Sequence, residues 1–207
     1  ALGNSLLIAP LATLLATGLG VLAAIGLVRG EFRGKALVMA MLISPMVAPV
    51  VIIAVGMFFF FARLSLLNSY LGLVLAHALL GVPFVVITVT AVLKSYDQNL
   101  SRAAASLGAS QWRVFRKVTL PLIAPGVFSG ALFAFAVSFD EVVVTLFLAS
   151  PRQRTLPIKM FAGIRENLDP TIAAAASLMV GASLLLLIVM ELLRRRSERL
   201  RHHPVSP

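Results

Sequence analysis

Apolar residues run through this chain in long blocks, and the polar residues collect in a few short stretches between them. A helix that crosses a bilayer needs about 20 consecutive apolar residues. Five blocks meet that requirement: within 4–28, 36–62, 69–93 and 123–148, and from Asp169-Pro170 to about Leu193. None of them alternates apolar and polar positions with a period of two, which excludes a β-barrel and predicts helices throughout. The pattern therefore predicts an all-α, polytopic transmembrane helical bundle. It has five spans in a single domain over 1–207, with no internal repeat and no low-complexity linker. Pro45 and Pro49 should kink or locally open the second span. Gly18, Gly20 and Gly26 suit close packing of the first, and Asp169-Pro170 is a cap-plus-first-turn start for the last.

The longest polar interruption lies at 94–121, and it reads as two short helices broken at a glycine. Leu100 to Leu107 is a run of good helix formers, and Gly108 is free to take the left-handed conformation that ends such a helix. Ser110 then caps a second helix running through Trp112, Arg113, Phe115, Arg116 and Lys117 to Pro121. Pro121 should prevent that helix from continuing smoothly into the next span.

Composition narrows the picture without changing it. The 207 residues are 59% hydrophobic and 13% charged, against roughly 25% charged in soluble domains, and mean hydropathy is +0.98. The chain is an integral membrane protein. It contains no cysteine, which excludes disulfides, thiolate metal sites and cysteine nucleophiles. Of the three histidines, His202 and His203 sit in a basic tail and His77 lies alone in an apolar span, so no metal site is expected. No G-x-x-x-x-G-K-[ST] loop, Ser/His/Asp set or HExxH occurs, and the chain carries no cofactor or catalytic motif of its own.

The net charge of +10 is distributed as a topology signal. Basic residues gather at 29–35, at 94–117 and in the RRRSERLRHH tail (about 194–207), while the 63–68 turn has only Arg63. The positive-inside rule places those three segments in the cytoplasm, the N-terminus outside and the C-terminus inside. Arg152, Arg154, Lys159 and Arg165 in the 149–169 connector fall on the outer side. Contact with anionic headgroups accounts for Arg113, Arg116 and Lys117, and nothing supports nucleic-acid binding. The chain begins at Ala1 without a Met, and the first apolar run is too long for a signal peptide, so a fragment or processed form is expected.

At 102–121 the residues resemble the cytoplasmic loop of bacterial ATP-binding cassette (ABC) importer permeases. That pattern is E-A-A, three residues, Gly, nine residues, I, one residue, L-P. Here Arg102, Ala103 and Ala104 are followed by Gly108, Val118, Leu120 and Pro121 at those spacings. Arg102 replaces the acidic residue and Val118 the isoleucine, so docking here should rest on shape and small residues. The resemblance implies the type I importer permease fold, and a coupling helix seated in a groove of a cytoplasmic ATPase subunit. Trp112, the only tryptophan, reads as an anchor of that helix in the groove, with a place at the headgroup level as the competing account. The resemblance also implies a second homologous permease subunit, or another copy of this chain, an extracytoplasmic binding protein, and ATP and Mg held by the ATPase. The location implied is the bacterial inner membrane. Family permeases commonly have six spans, so five with an outside N-terminus are what remains when the first is absent. Ser138 to Val144 (SFDEVVV), Leu156-Pro157-Ile158-Lys159 and Pro170 look like the polyamine (spermidine and putrescine) permeases, nearest the second of their two permease subunits. Related segments occur in iron and thiamine importers, and the exact solute stays open.

Asp140 and Glu141 are the polar residues of most interest within the spans. A mid-bilayer charge costs about 2.5–3.5 kcal/mol on insertion scales, so such groups face a cavity or a partner. Adjacent helical residues point about 100° apart, so one should line the route of a cation while the other bonds a neighbouring helix or subunit. Asp140 is preferred for the route, with a buried packing contact as the competing account. His77 reads as a packing residue with one satisfied hydrogen bond, and Phe58 to Phe61 as a lipid-facing and packing girdle. A channel or ion-driven transporter lacks a reason for the 102–121 pattern. An acid/base enzyme built on Asp140 and Glu141 lacks polar partners in other spans.

Overall fold

The computed structural model describes residues 1–166 and, beyond them, isolated helical positions between 174 and 192. The Asp169-Pro170 start of the fifth span, Arg165's side chain and the 194–207 tail lie outside the described residues. Among the described residues the secondary structure is helical, with no strand.

Three helices among the described residues are long and apolar enough to cross a membrane. They are α1 (Leu2–Arg29), α4 (Tyr70–Lys94) and the continuous Gln111–Asp140 unit formed by α6 (Gln111–Val114), a π-helical turn (Phe115–Thr119) and α7 (Leu120–Asp140). They form the centre of the bundle. Their backbones meet at small residues: a Cβ on Gly81 of α4 would lie 2.9 Å from the Ala134 Cβ of α7 and 3.1 Å from the Ala16 Cβ of α1. Such approach is what brings helices together in lipid, where burial from water supplies no driving force. Ala12, Ala16 and Ala24 of α1 and Val85 and Val89 of α4 form this core with Ile123 and Ala134 of α7.

The second predicted span is a broken one. α2 (Lys35–Val47) and α3 (Val50–Arg63) meet at a 106° bend. Pro45 sits inside α2 without ending it. The break falls at Ala48-Pro49, because a proline disfavours helical backbone in the residue before it, and Ala48 is extended (φ −70°, ψ 143°). The Pro49 carbonyl accepts from the Ile52 and Ile53 N–H groups and restarts the helix. Phe59 and Phe60 point outward and Phe61 inward, as a lipid-facing and packing girdle requires.

The fourth span differs from expectation at its end. Helix α7 stops at Asp140, Glu141 is extended, and a separate short helix α8 (Val143–Leu148) follows. The 149–169 connector is also more structured than its polar composition suggested, with a 3₁₀ turn at Pro151–Gln153 and helix α9 (Leu156–Glu166). Leu156 and Ile158 are buried, and the Leu156 N–H donates to Ser5 Oγ at 2.9 Å. Asn4 Nδ2 donates to the Arg152 and Arg154 carbonyls at 2.9 and 3.0 Å. Gln153 Nε2 reaches the Asn68 carbonyl at 2.7 Å. The connector is thereby clasped to the start of α1 and to the turn before α4, and Arg63, Arg152, Arg154 and Lys159 belong to this end of the bundle.

Candidate functional site

Two features at opposite ends of the Gln111–Asp140 helix carry the candidate chemistry. The first is the turn at Gly108. Helix α5 (Gln98–Ser106) starts where Asp97 Oδ1 accepts the Asn99 N–H at 2.9 Å, a little before the expected start at Leu100. It ends in a Schellman arrangement: Ala109 N–H donates to the Ala104 carbonyl at 3.2 Å, and Gly108 N–H to the Ala105 carbonyl at 2.9 Å. That closure needs a left-handed residue after the helix, and Gly108 has φ +83°. Ser110 Oγ then accepts the Arg113 N–H at 3.4 Å and opens α6. The turn is fully presented: Leu107 is 87% and Trp112 68% exposed, and Phe115 braces the indole at a ring separation of 5.6 Å. Arg102 and Ala103 are exposed on α5 and Ala104 half-buried.

The expected stop at Pro121 is absent. The helix runs on from Gln111 to Asp140, and the proline is accommodated by the π-helical turn before it. There the Leu120 N–H reaches back five residues to the Phe115 carbonyl. A widened turn of this kind relieves the clash that a proline ring makes with the preceding turn. Val118 is half-buried there, while Leu120 and Pro121 are exposed.

Charge reading alone missed a tie between this turn and α1. Arg29, taken from the sequence as a topology signal, donates from Nη2 to Thr119 Oγ1 at 2.9 Å. Its guanidinium lies 6.0 Å from the Tyr96 ring centroid, and Tyr96 Oη is hydrogen-bonded to Ser101 Oγ on α5. Thr119 is fully buried. No spacing in the sequence pairs residues 90 positions apart.

The second feature is the break after Asp140. Asp140 is exposed at the end of α7 and Glu141 is half-buried. Glu141 Oε1 accepts the Val144 N–H at 2.8 Å and so caps α8. The two carboxylates are therefore not 100° apart on one helix. One ends a helix and the other begins the next. His77 also departs from its expected single hydrogen bond. Nδ1 lies 2.9 Å from Ser138 Oγ and 3.1 Å from the Ser138 carbonyl oxygen, and Nε2 lies 2.8 Å from Thr145 Oγ1. The described residues hold no cluster of His, Cys, Asp and Glu suited to a metal.

Residues 16–199 match the family described as the binding-protein-dependent transport system inner membrane component. This chain belongs to that family. It is a permease of the type I ABC importer class, a multi-pass inner-membrane protein and a transporter subunit rather than a catalytic one. The permease is 34% identical over 177 residues to the spermidine/putrescine transport system permease protein PotC of Escherichia coli K12, covering 86% of this chain and 67% of that protein. It is 36% identical over 188 residues to the putrescine transport system permease protein PotI of the same organism, covering 87% and 67%. A solved structure of the MetNI methionine ABC transporter in inward-facing conformations aligns with TM-score 0.66 over 95% of the permease and 91% of that chain. Sequence identity there is 17%, so this likeness concerns the fold alone.

Proposed function

We propose that this permease forms one half of the translocation path of an ATP-driven polyamine importer and is driven through the 94–121 segment by a cytoplasmic ATPase subunit. The observation that carries the coupling half of this reading is the exposed turn at Gly108. Leu107 and Trp112 present large apolar surfaces beside small Ala103 and Ala104. In a membrane protein such a surface has no use facing water and suits a groove in a partner. The 29–35 loop, the 94–121 segment and the C-terminus lie in the cytoplasm on this reading. The clasped 63–68 and 149–159 face, with its arginines, lies outside and receives the binding protein. A second homologous permease supplies the other half of the bundle.

The substrate half rests on the likeness to PotC and PotI and on the chemistry of the break. Asp140 and Glu141 put two carboxylates beside an opened stretch of backbone within the bundle. Carboxylates beside such an opening suit a passing diamine, which needs anionic stations along the route. Asp140, exposed and free of a capping role, is the better station.

The test is uptake of radiolabelled putrescine and spermidine by vesicles containing the assembled importer. Asp140→Asn should cut uptake at least fivefold while the ATPase subunits still assemble. Unchanged polyamine uptake in that variant would remove Asp140 from the route. ATP hydrolysis stimulated by a different solute, and by neither polyamine, would overturn the substrate assignment.

A further inference from the structure

We propose that His77 is a positioning residue, a splint across the α7–α8 break that holds Asp140 and Glu141 in place. The proposal rests on the reading of those carboxylates as part of the substrate route, but its structural content is tested separately. His77 sits on α4 and is 1% exposed. Its two ring nitrogens serve opposite sides of the break, Ser138 in the last turn of α7 and Thr145 in the first turn of α8. The last four carbonyls of a helix have no partner within it, and Ser138 O is one of them. A carbonyl oxygen only accepts, so Nδ1 carries the proton toward Ser138. The unprotonated Nε2 then accepts from the Thr145 hydroxyl. Every polar site on the ring is thereby used.

A histidine that merely filled space would not need this arrangement. Ser138, His77 and Thr145 are all buried polar residues, and they meet where the backbone leaves the helix. Glu141 Oε1 caps Val144 from within the same break, and the Thr145 hydroxyl lies 3.4 Å from the Glu141 carbonyl. Residues 139 to 144 are thus pinned from both ends by one imidazole on another helix. Val144 and Leu148 of α8 pack in the same cluster as Leu73, Ala76 and Leu80 around His77's position on α4. The break therefore moves with α4. In a transporter that alternates between two states, this ties the position of the carboxylates to a central helix of the bundle instead of leaving them on a free loop.

The absence of cysteine from the chain allows a direct test in the assembled importer. Val142→Cys places a single thiol in the break. Its reaction rate with a small cationic methanethiosulfonate reports how tightly the segment is held. His77→Leu, which removes both bonds, should raise that rate about tenfold or more. Thr145→Val and Ser138→Ala, which each remove one side-chain partner, should raise it severalfold. His77→Gln, with one donor and one acceptor, should restore much of the protection. A second reporter, Ala24→Cys in the fully buried α1–α4 core, should stay unreactive in every background. Equal labelling rates at position 142 in the parent and in Thr145→Val and Ser138→Ala overturn the proposal even where His77→Leu fails to assemble. A matching rise at position 24 reduces His77 to general packing and also overturns it. Because labelling needs no substrate, unchanged putrescine uptake in Asp140→Asn would refute the route while leaving this measurement to judge the splint.

Discussion

Replacing Gly108 by valine should weaken engagement of the ATPase subunit, and the size of the effect follows from the backbone. Gly108 has φ +83°, and a Cβ built on it meets nothing within 4 Å. The cost of a side chain there is therefore conformational and not steric. Left-handed backbone costs an L-residue about 1–2 kcal/mol, and a β-branched side chain raises this toward about 3 kcal/mol. Docking to the ATPase must supply that energy to restore the turn. At 1.4 kcal/mol per factor of ten, the ATPase concentration for half-maximal coupling should rise roughly 30- to 150-fold for valine. Alanine should fall near tenfold, and asparagine, which tolerates this region, within a few fold.

The assay is titration of the permease in lipid discs with its ATPase subunits, reading ATP hydrolysis stimulated by the loaded binding protein. Uptake is measured in parallel. The order Gly, Asn, Ala, Val should appear in the half-saturation values with the maximal rate little changed. Because the Gly108 site is open, a fold defect is not expected, and thermal stability of the isolated permease should match the parent. Half-saturation equal within twofold across all four residues would show that the left-handed turn has no part in docking.

Other changes test the packing and the break. Gly130→Val would place a Cβ 2.5 Å from Thr88 Oγ1 and 2.7 Å from the Val85 Cα. It should lose about 1–3 kcal/mol by overpacking, seen as a lower melting temperature in detergent, while Gly56→Ala, inside α3 with open space around it, should not lower that temperature and should raise it slightly through helix propensity. Glu141→Gln keeps an acceptor for the Val144 N–H, whereas Glu141→Ala removes it and should cost about 0.5–2 kcal/mol as a lost cap. Equal stability of the two variants would show that the carboxylate does not serve as a cap, and a further drop in putrescine uptake in the Gln variant would assign it a charge-dependent role beside Asp140.

What could be read from the sequence was what local rules decide. Long apolar runs in α1 and α4 matched their helices to within a few residues, because bilayer thickness sets a length that composition must satisfy. Gly108 and Ser110 marked helix ends correctly, since a left-handed residue or a cap acts within a turn of itself. The break at Glu141 was hidden for the opposite reason. Residues 135–148 contain no glycine or proline, and nothing nearby ends the helix. The partner that holds the break open lies 61 residues away in α4. Helix α9 was hidden in the same way, its buried Leu156 being secured by Ser5 at the far end of the chain. Pro121 shows a local rule overridden: the clash it implies is relieved by one π-helical turn, so the expected stop became a continuous helix.

That continuity has a mechanical consequence. Gln111–Asp140 is 30 residues, about 45 Å of helix, with the docking turn at one end and the carboxylate break at the other. Proline interrupts it only at Pro121 and Pro125, in its first half and at its midpoint. Beyond Pro125, α7 packs on α4 through Gly126 and Gly130, where a side chain would strike Thr88 or Val85. The half nearer the break is therefore packed closely on α4, while the π-helical turn, where Arg29 ties Thr119 to α1, is the irregular point of the helix. On the proposed reading, a displacement at Gly108 is first divided there between α1 and α7. What passes into α7 reaches Asp140 with little loss, because helix and splint both fasten that end to α4. A coupling defect confined to the π-helical turn should thus leave the break intact, and a defect at His77 should leave ATPase docking intact. The two failures are separable because they lie at opposite ends of one rod.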